Sequence, residues 1–259
     1  MPLTFNVSGS ATFGGTYTPT PPSEDSSEEP DWAWHINNEA GITSDAGVVS
    51  AIADQSGYAN NTSAIVGVSI STTTFAGGAG VLEFAGSSSY AKFSSIVAQD
   101  QRTELANGWA FVICARIADG EYNHRLVHQG RYGGAIRYTG GQYSNRSEFK
   151  NGDGGGNIGL DTDESSWAFR YVSVNTTGGT LNIGVGKKGA FARGITLAGV
   201  NVGNTDPAYP LLLGNAYNEN TGAIQLDGTV MSVRAAGIIN ATQVERCRRY
   251  WAARYSLAL

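Results

Sequence analysis

Short segments with β-strand character recur through most of this 259-residue chain, and turn-forming Gly, Ser and Asn residues separate them. The alternation of apolar and polar residues predicts strands at residues 81–84, 90–93, 109–117, 125–129, 135–138, 147–150, 167–174, 180–185, 211–213 and 228–236. Helical periodicity is almost absent between these segments, which is typical of a β-sandwich or jelly roll. The 35 glycines can supply the positive φ angles that turns and bulges require.

Composition excludes several other classes of protein. Aromatic residues make up 10% of the chain, which is too many for wholesale disorder. The glycines show no period of three, so collagen is excluded. No apolar run approaches the roughly 20 residues of a transmembrane helix. Residues 1–7 lack the features of a signal peptide, so neither a membrane span nor secretion is expected.

Acidic residues are concentrated near the N-terminus. Residues 1–31 hold five acidic residues and no basic one, so the formal net charge of −5 lies there, and the remaining 17 acidic and 17 basic residues balance. A balanced remainder does not form a basic stripe for nucleic acid. Residues 18–31, rich in Pro, Ser and Glu, predict an extended linker.

Residues 1–17 alternate like a β-strand ahead of this linker. A short β-like segment before an acidic linker suits a peptide that docks onto another protein. The apolar residues that would make the anchoring contacts are Leu3, Phe5, Val7 and Phe13. A frayed terminus is the alternative.

One helix is predicted at the C-terminal end. Thr242 and Glu245 fit a capping box, in which each side chain bonds the other residue's backbone N–H. The apolar residues with near-helical spacing are Val244, Cys247, Trp251 and Tyr255. The arginines on the remaining surface are Arg246, Arg248, Arg249 and Arg254. We expect the apolar face to pack on the sandwich, with anion or partner binding by the basic face as the alternative.

The two cysteines are expected to be buried free thiols. Cys114 lies in an apolar run and Cys247 lies on the predicted helix, and a disulfide would need a proximity that sequence does not reveal. With three histidines and no C-x-x-C pair, a zinc site is not expected. Residues 184–189 match G-x-G-x-x-G, but β-like residues follow where a dinucleotide fingerprint needs a helix. A hairpin turn that carries two lysines is the prediction there.

Two stretches carry a family resemblance. The first combines Trp34, residues 54–61 (DQSGYANN) and residues 82–90 (LEFAGSSSY), and the second runs from strand 228–236 to residues 250–255 (YWAARY). Through these two stretches, the region of residues 32–259 resembles the concanavalin A-like lectin/glucanase (laminin-G-like) domains found in bacteriophage structural proteins. The resemblance implies an all-β, concanavalin A-like jelly-roll sandwich with a short C-terminal helix, here preceded by an extended N-terminal tail.

The first stretch also allows local predictions. Asp54, Ser56 and Gly57 are good turn formers, and residues 60–61 (NN) are suited to the left-handed conformation. Trp34 and Trp109 are expected in the core rather than as sugar platforms. Phe84 and Tyr90 are expected to bury one face of a hairpin.

Catalytic motifs are missing from the sequence. Glucanases of this fold carry E-x-D-x-x-E, which places carboxylates on one strand face. Here the match begins at Glu29 and Asp31 in the linker, but Trp34 takes the third carboxylate position. We therefore expect no enzyme. A glycoside hydrolase or lyase that uses Asp161 and Asp163 is the alternative.

Candidate ligand residues lie on predicted loops. Aromatic rings stack on sugars, and amides and guanidinium groups bond their hydroxyls. The residues with this chemistry are Tyr132, Tyr143, Asn145, Arg146 and Trp167. Nearby oxygen donors suited to Ca²⁺ are Asp153, Asp161 and Asp163, with plain Gly/Asp turns as the alternative.

The resemblance and the layout together predict a virion surface protein made in the host cytoplasm. Its tail would attach to phage capsid or tail proteins, and its lectin-like domain would bind carbohydrate on host surfaces. It would serve as a capsid decoration, a head fibre or a tail fibre, and a homotrimer is one oligomeric state compatible with this role. An inert structural cement protein is the other alternative.

Overall fold

A computed structural model describes residues 32–37, 40–56, 58–71, 81–86, 89–93, 108–117, 123–129, 135–139, 146–151, 154–158, 167–175, 180–187, 190–198, 211–214, 227–236 and 239–259. The predicted anchor at residues 1–17, with its four apolar residues, and the linker at residues 18–31 lie outside these ranges. Both remain predictions.

The described residues form seventeen strands and one helix. They are β1 (Trp32–Asn37), β2 (Ile42–Asp45), β3 (Val48–Ile52), β4 (Thr62–Val66), β5 (Val68–Ser71), β6 (Val81–Ala85), β7 (Tyr90–Phe93), β8 (Gly108–Ile117), β9 (Asn123–Gln129), β10 (Ala135–Thr139), β11 (Arg146–Asn151), β12 (Gly154–Ile158), β13 (Ala168–Asn175), β14 (Thr180–Lys187), β15 (Ala190–Ala198), β16 (Leu211–Leu213), β17 (Asp227–Ala236) and α1 (Ala241–Tyr255). Each of the ten strands predicted between residues 81 and 236 is present, with bounds within two residues of the prediction.

The strands form two antiparallel sheets. Within the described residues, ten strands form one sheet in the order β15-β14-β13-β8-β17-β6-β5-β3-β2, with β1 also paired to β17. Seven strands form the other, in the order β12-β11-β10-β9-β16-β7-β4. Strands β1 to β5, β12 and β15 are absent from the predicted set. Of these, β2, β4, β5 and β12 are short and rich in Ser, Thr or Gly, so their apolar alternation is weak.

The space between the sheets is a continuous apolar core. Trp34 and Phe84 from the ten-stranded sheet and Phe93 from the other are fully buried there. The rings of Trp34 and Phe93 meet edge to face, with centroids 4.7 Å apart. The predicted core role of Trp34 is confirmed.

A second core lies on the outer face of the ten-stranded sheet, beneath α1. Trp251 of the helix meets Phe169 of β13 edge to face, with centroids 5.5 Å apart. The apolar helix face is confirmed, since its predicted members Val244, Cys247, Trp251 and Tyr255 are all buried. Cys114 joins Cys247 in this cluster, and both are free thiols, as predicted. Burial raises the pKa of Cys114, Arg170 opposes this shift, and Cys247 adds to it.

The predicted helix cap is wrong by two residues. Asn240 is the N-cap. Its side-chain oxygen accepts hydrogen bonds from the backbone N–H groups of Thr242 and Gln243, and its own backbone N–H donates to the side-chain oxygen of Gln243. Glu245 instead accepts hydrogen bonds from Arg248 and Arg249. An asparagine two positions upstream completes the same motif, and the predicted cap Thr242 lies inside the first turn of the helix.

Two local predictions on the first stretch are also wrong. Phe84 and Tyr90 do not share a hairpin, because β6 belongs to the ten-stranded sheet and β7 to the seven-stranded one. In residues 58–61, the left-handed residue is Ala59, with φ 57°, rather than either asparagine. The side chain of Trp109 lies outside the described residues.

The G-x-G-x-x-G stretch falls in a hairpin, as predicted. β14 and β15 pair antiparallel up to Lys187 and Ala190, which flank the turn. Gly184 lies opposite Tyr171, and a Cβ at Gly184 would come within 2.1 Å of the Tyr171 ring. Packing beneath an aromatic ring therefore explains this glycine.

Candidate ligand-binding site

One transverse row of residues crosses the outer face of the ten-stranded sheet beside α1. We name it the outer row. In order across the sheet, its members are Asp45, Val48, Ser69, Glu83, Thr229, Arg116 and Trp167.

The strand register fixes the middle of this row. Ser69 of β5 pairs with Glu83 of β6, and Glu83 also lies opposite Thr229 of β17. On its other side Thr229 pairs with Arg116 of β8. Neighbouring strands lie about 4.8 Å apart, so the backbones at Glu83 and Arg116 are about 10 Å apart.

The same register extends the row to both sides. Val48 pairs with Ser69 and with Asp45 of the terminal strand β2. At the other side, Ala168 pairs with Ala115, so Trp167, one residue before Ala168, is level with Arg116.

Side-chain alternation turns those members of the outer row whose side chains the structure describes away from the inter-sheet core. Leu82 and Phe84, on either side of Glu83, are fully buried between the sheets, whereas Glu83 is exposed. Val48 is 63% exposed, which is high for a valine in a strand. Its exposure shows that no described segment covers this part of the row.

Arg116 and Trp167 are the two members of the row whose side chains contact each other in the described structure. The Arg116 guanidinium carbon lies 5.8 Å from the centroid of the Trp167 ring, within the range of a cation–π contact. Both side chains are half-buried, and the indole also packs against the cluster beneath α1. The indole therefore holds the guanidinium at a fixed place on an accessible surface.

Glu83 and Arg116 carry the charges in the middle of this row. Among the described residues, neither Glu83 nor Arg116 has an ion-pair partner. The helix arginines differ, since Arg248 and Arg249 both contact Glu245 at 2.7 Å. Among the described residues, Glu83 and Arg116 thus differ from Arg248 and Arg249, whose charges are paired with Glu245.

The stretch that carries part of the family resemblance, residues 54–61, has a structural role. The carboxylate of Asp54 accepts hydrogen bonds from the backbone N–H groups of His35, Ser56 and Asn60, at 2.9, 2.9 and 3.1 Å, and from the Ser56 hydroxyl at 2.6 Å. Four internal donors leave this carboxylate little capacity for a ligand. The predicted turn-forming role of Asp54 and Ser56 is confirmed, and Gly57 lies outside the described residues.

The structure describes two of the predicted ligand residues. Trp167 belongs to the outer row, while Arg146 begins β11 in the other sheet, and the structure does not describe its side chain. Tyr132, Tyr143 and Asn145 lie outside the described residues, so the predicted set remains a prediction.

The predicted calcium ligands Asp153, Asp161 and Asp163 also lie outside the described residues. Among those the structure describes, no group of three or more His, Cys, Asp or Glu side chains is arranged to hold a metal ion. The helix of the described chain, α1, is not long and apolar enough to cross a membrane.

Comparison with known proteins shows a likeness in fold rather than in sequence. No family model and no curated protein matches the chain. The binding domain of botulinum neurotoxin serotype C1 matches with a TM-score of 0.58 and 13% identity, over 87% of this chain and 52% of that chain. The binding domain of botulinum neurotoxin DC, solved with rat synaptotagmin II, matches with a TM-score of 0.54 and 11% identity over the same shares.

A further structure of the DC binding domain, in complex with SialylT, has a TM-score of 0.53 and 10% identity, again over 87% of this chain and 52% of that chain. The fold is thus a concanavalin A-like β-sandwich of the kind found in these toxin binding domains. The chain spans about half the length of the domains it matches. The ligands of those whole domains therefore show nothing about the ligand of this chain.

Proposed function

We propose that this chain is a non-enzymatic, lectin-like module that binds glycans through the outer row. The observation that carries the proposal is a half-buried indole, a stacked guanidinium and an exposed carboxylate on one accessible row. Such groups pack against the apolar face of a sugar and exchange hydrogen bonds with its hydroxyls. A shared fold with toxin binding domains is compatible with this role.

A glycan array with the full chain tests the proposal. We expect reproducible binding that Arg116→Ala abolishes and that Arg249→Ala leaves intact, because Arg249 is an exposed arginine on α1 that already contacts Glu245 and is not a member of the outer row. Thermal unfolding of each variant checks its fold, and Glu83→Ala replaces Arg116→Ala if the latter unfolds. An array with no bound glycan would overturn the function and favour an inert cement protein. Binding lost in Tyr143→Ala but not in Arg116→Ala would place the site on the predicted loops instead.

We further propose that the lectin-like domain is displayed on a virion. The support is the resemblance to phage structural proteins together with the strand-like residues 1–17 ahead of an acidic linker. Deleting residues 1–20 should abolish attachment to purified particles, while deleting residues 21–28 should only shorten the tether. Unchanged attachment after the first deletion would contradict the anchor.

Two subsidiary proposals concern the Asp-rich segment. The absence of E-x-D-x-x-E from the sequence supports a non-enzymatic role. If the chain cleaves an array glycan and the double substitution Asp161→Asn/Asp163→Asn abolishes that cleavage, the non-enzymatic role is contradicted.

Calcium bound by Asp153, Asp161 and Asp163 would make glycan binding sensitive to EDTA if the ion orders a ligand loop. Calorimetric titration with Ca²⁺ of the wild type and of that double variant measures such binding directly.

A further inference from the structure

We infer that the outer row selects a saccharide with one carboxylate-bearing sugar, seated at Arg116, and neutral sugars that extend toward Glu83. This inference rests on the proposed glycan-binding function and names the chemistry of its ligand. It follows from the placement of charges along the row and from the way Arg116 is held.

Arg116 is suited to a carboxylate. The guanidinium fork donates two parallel hydrogen bonds to the two oxygens of a carboxylate. Contact with the Trp167 ring orders the side chain before a ligand arrives, so less conformational entropy is lost on binding. Among the described residues Arg116 has no carboxylate partner, so an incoming acid would not have to displace one.

The helix provides a contrast within the same chain. Arg248 donates two hydrogen bonds to Glu245, and Arg249 donates a third. These arginines already have the partner that Arg116 lacks. A ligand carboxylate is therefore expected at the outer row rather than at this part of α1.

The other side of the row carries the opposite charge. Glu83 lies two strands from Arg116, and Asp45 lies on the terminal strand β2 beyond it. A second ligand carboxylate seated against Glu83 would lie well within the Debye length of about 8 Å at physiological ionic strength, so the Glu83 carboxylate would repel it. Sugar hydroxyls would be favoured there, because a carboxylate accepts their hydrogen bonds.

The ligand that fits this polarity has an acidic sugar at one end and neutral sugars after it. A pyranose ring is about as long as the spacing between strands, about 5 Å, so a trisaccharide can reach from Arg116 to Glu83. A polymer with a carboxylate on every sugar would place a negative charge against Glu83. The row should therefore discriminate against polyuronates.

Titration of the full chain by NMR tests the inference, with three probes: 3′-sialyllactose, lactose and trigalacturonate. The reporter is the indole N–H signal of Trp167, assigned by its loss in Trp167→Phe. The described residues Trp34 and Trp251 are both buried, so their indole signals serve as internal references. We expect 3′-sialyllactose to bind about tenfold or more tightly than lactose, the size of effect typical of a hydrogen-bonded charge.

Variants assign the discrimination to its source. Arg116→Ala should remove the preference for 3′-sialyllactose, and Arg116→Lys should weaken it because lysine keeps the charge without the fork. Glu83→Gln should improve trigalacturonate binding without improving that of lactose. Arg249→Ala is the matched control and should change none of these values.

The outcomes separate this inference from the proposed function. If lactose binds as tightly as 3′-sialyllactose and Arg116→Ala weakens both, the row binds glycans but the inference is wrong. Tighter binding of trigalacturonate than of 3′-sialyllactose would also overturn it. Absence of binding to these probes and to every array glycan would overturn the proposed function itself.

Discussion

Two regions of the same sheet face have opposite characters. Beneath α1, the outer face of the ten-stranded sheet is apolar, and residues such as Val112, Cys114 and Phe169 have no exposed surface. One row further along the same strands, it carries the exposed Glu83 and the half-buried Arg116. Both regions rest on the strands β8, β13 and β6.

The difference shows how one sheet can contribute to stability and still present a surface to a ligand. The helix covers the rows whose residues are apolar, and burial of those residues supports the fold. The outer row at its margin includes the charged residues Glu83 and Arg116, which belong to neither apolar core. Perturbations under α1 should therefore change stability, whereas perturbations of the outer row should change binding.

The largest effect is expected for Trp251→Ala. This substitution removes a fully buried indole from the cluster beneath α1 and leaves a cavity against Phe169. We expect the free energy of unfolding to fall by about 3–5 kcal/mol, measured by urea denaturation. Arg249→Ala, two positions earlier and exposed, is the control. A loss below 1 kcal/mol would mean that α1 contributes little to stability.

The next effect is expected for Gly184→Ala. The added methyl group would meet the Tyr171 ring at 2.1 Å, so overpacking should lower the free energy of unfolding by about 1–3 kcal/mol. The double variant Gly184→Ala/Tyr171→Ala should show strong non-additivity, because the second change removes the clash. Additive effects of the two changes in denaturation experiments would contradict this explanation of the glycine.

A smaller, pH-dependent effect is expected for Glu245→Gln. Hydrogen bonds from Arg248, and then from Arg249, lower the pKa of Glu245 from 4.5 to about 2, although partial burial opposes them. A lowered pKa means that ionised Glu245 stabilises the fold above pH 4.5 and that this contribution is lost as the pH falls toward 2.

The Glu245 carboxylate is partly exposed, so solvent screening limits its contribution to about 1 kcal/mol at pH 7. The difference in unfolding free energy between wild type and Glu245→Gln should be present at pH 7 and vanish near pH 2. A difference that is constant over this pH range would show that the ion pairs do not contribute. Glu83→Gln, which removes a carboxylate with no ion-pair partner among the described residues, is the control.

A modest stabilisation is expected on the other side of the sheet. The two-residue turn between β2 and β3 has positive φ at both Ala46 (46°) and Gly47 (83°), as in a type I′ turn. Asparagine tolerates this conformation better than alanine, so Ala46→Asn should raise the free energy of unfolding by about 0.5 kcal/mol. An unchanged or lower thermal midpoint would contradict this assignment of the turn.

The smallest effect on stability is expected for Glu83→Gln. Glu83 is exposed and has no ion-pair partner among the described residues, so the unfolding free energy should change by less than about 0.5 kcal/mol. Binding of an array glycan should nevertheless change. A large loss of stability without a change in binding would assign the row a structural role instead.

Sequence predicts ten of the seventeen described strands, because the apolar alternation on which these predictions rest is local. It also predicts the buried face of α1, since helical spacing identifies Trp251 and Tyr255. It fails at the helix cap, where two overlapping capping boxes compete, and at Phe84 and Tyr90, because alternation does not say which sheet a strand joins.

The outer row is less accessible to sequence reasoning. Trp167 is the member that sequence analysis identifies as a ligand candidate, because it is aromatic. Glu83 and Arg116 come from strands that are distant in sequence, and β17 brings them level by pairing with both β6 and β8. Pairing register is non-local, so no spacing along the chain reveals this alignment.

The most direct test of the account is a crystal structure of the full chain with an array-selected glycan. We predict sugar density along the outer row, with one ring against Arg116 and Trp167 and hydroxyl groups within hydrogen-bond distance of Glu83. Density on the seven-stranded sheet, or over the loop residues Tyr132 and Tyr143 with the outer row empty, would contradict the central claim.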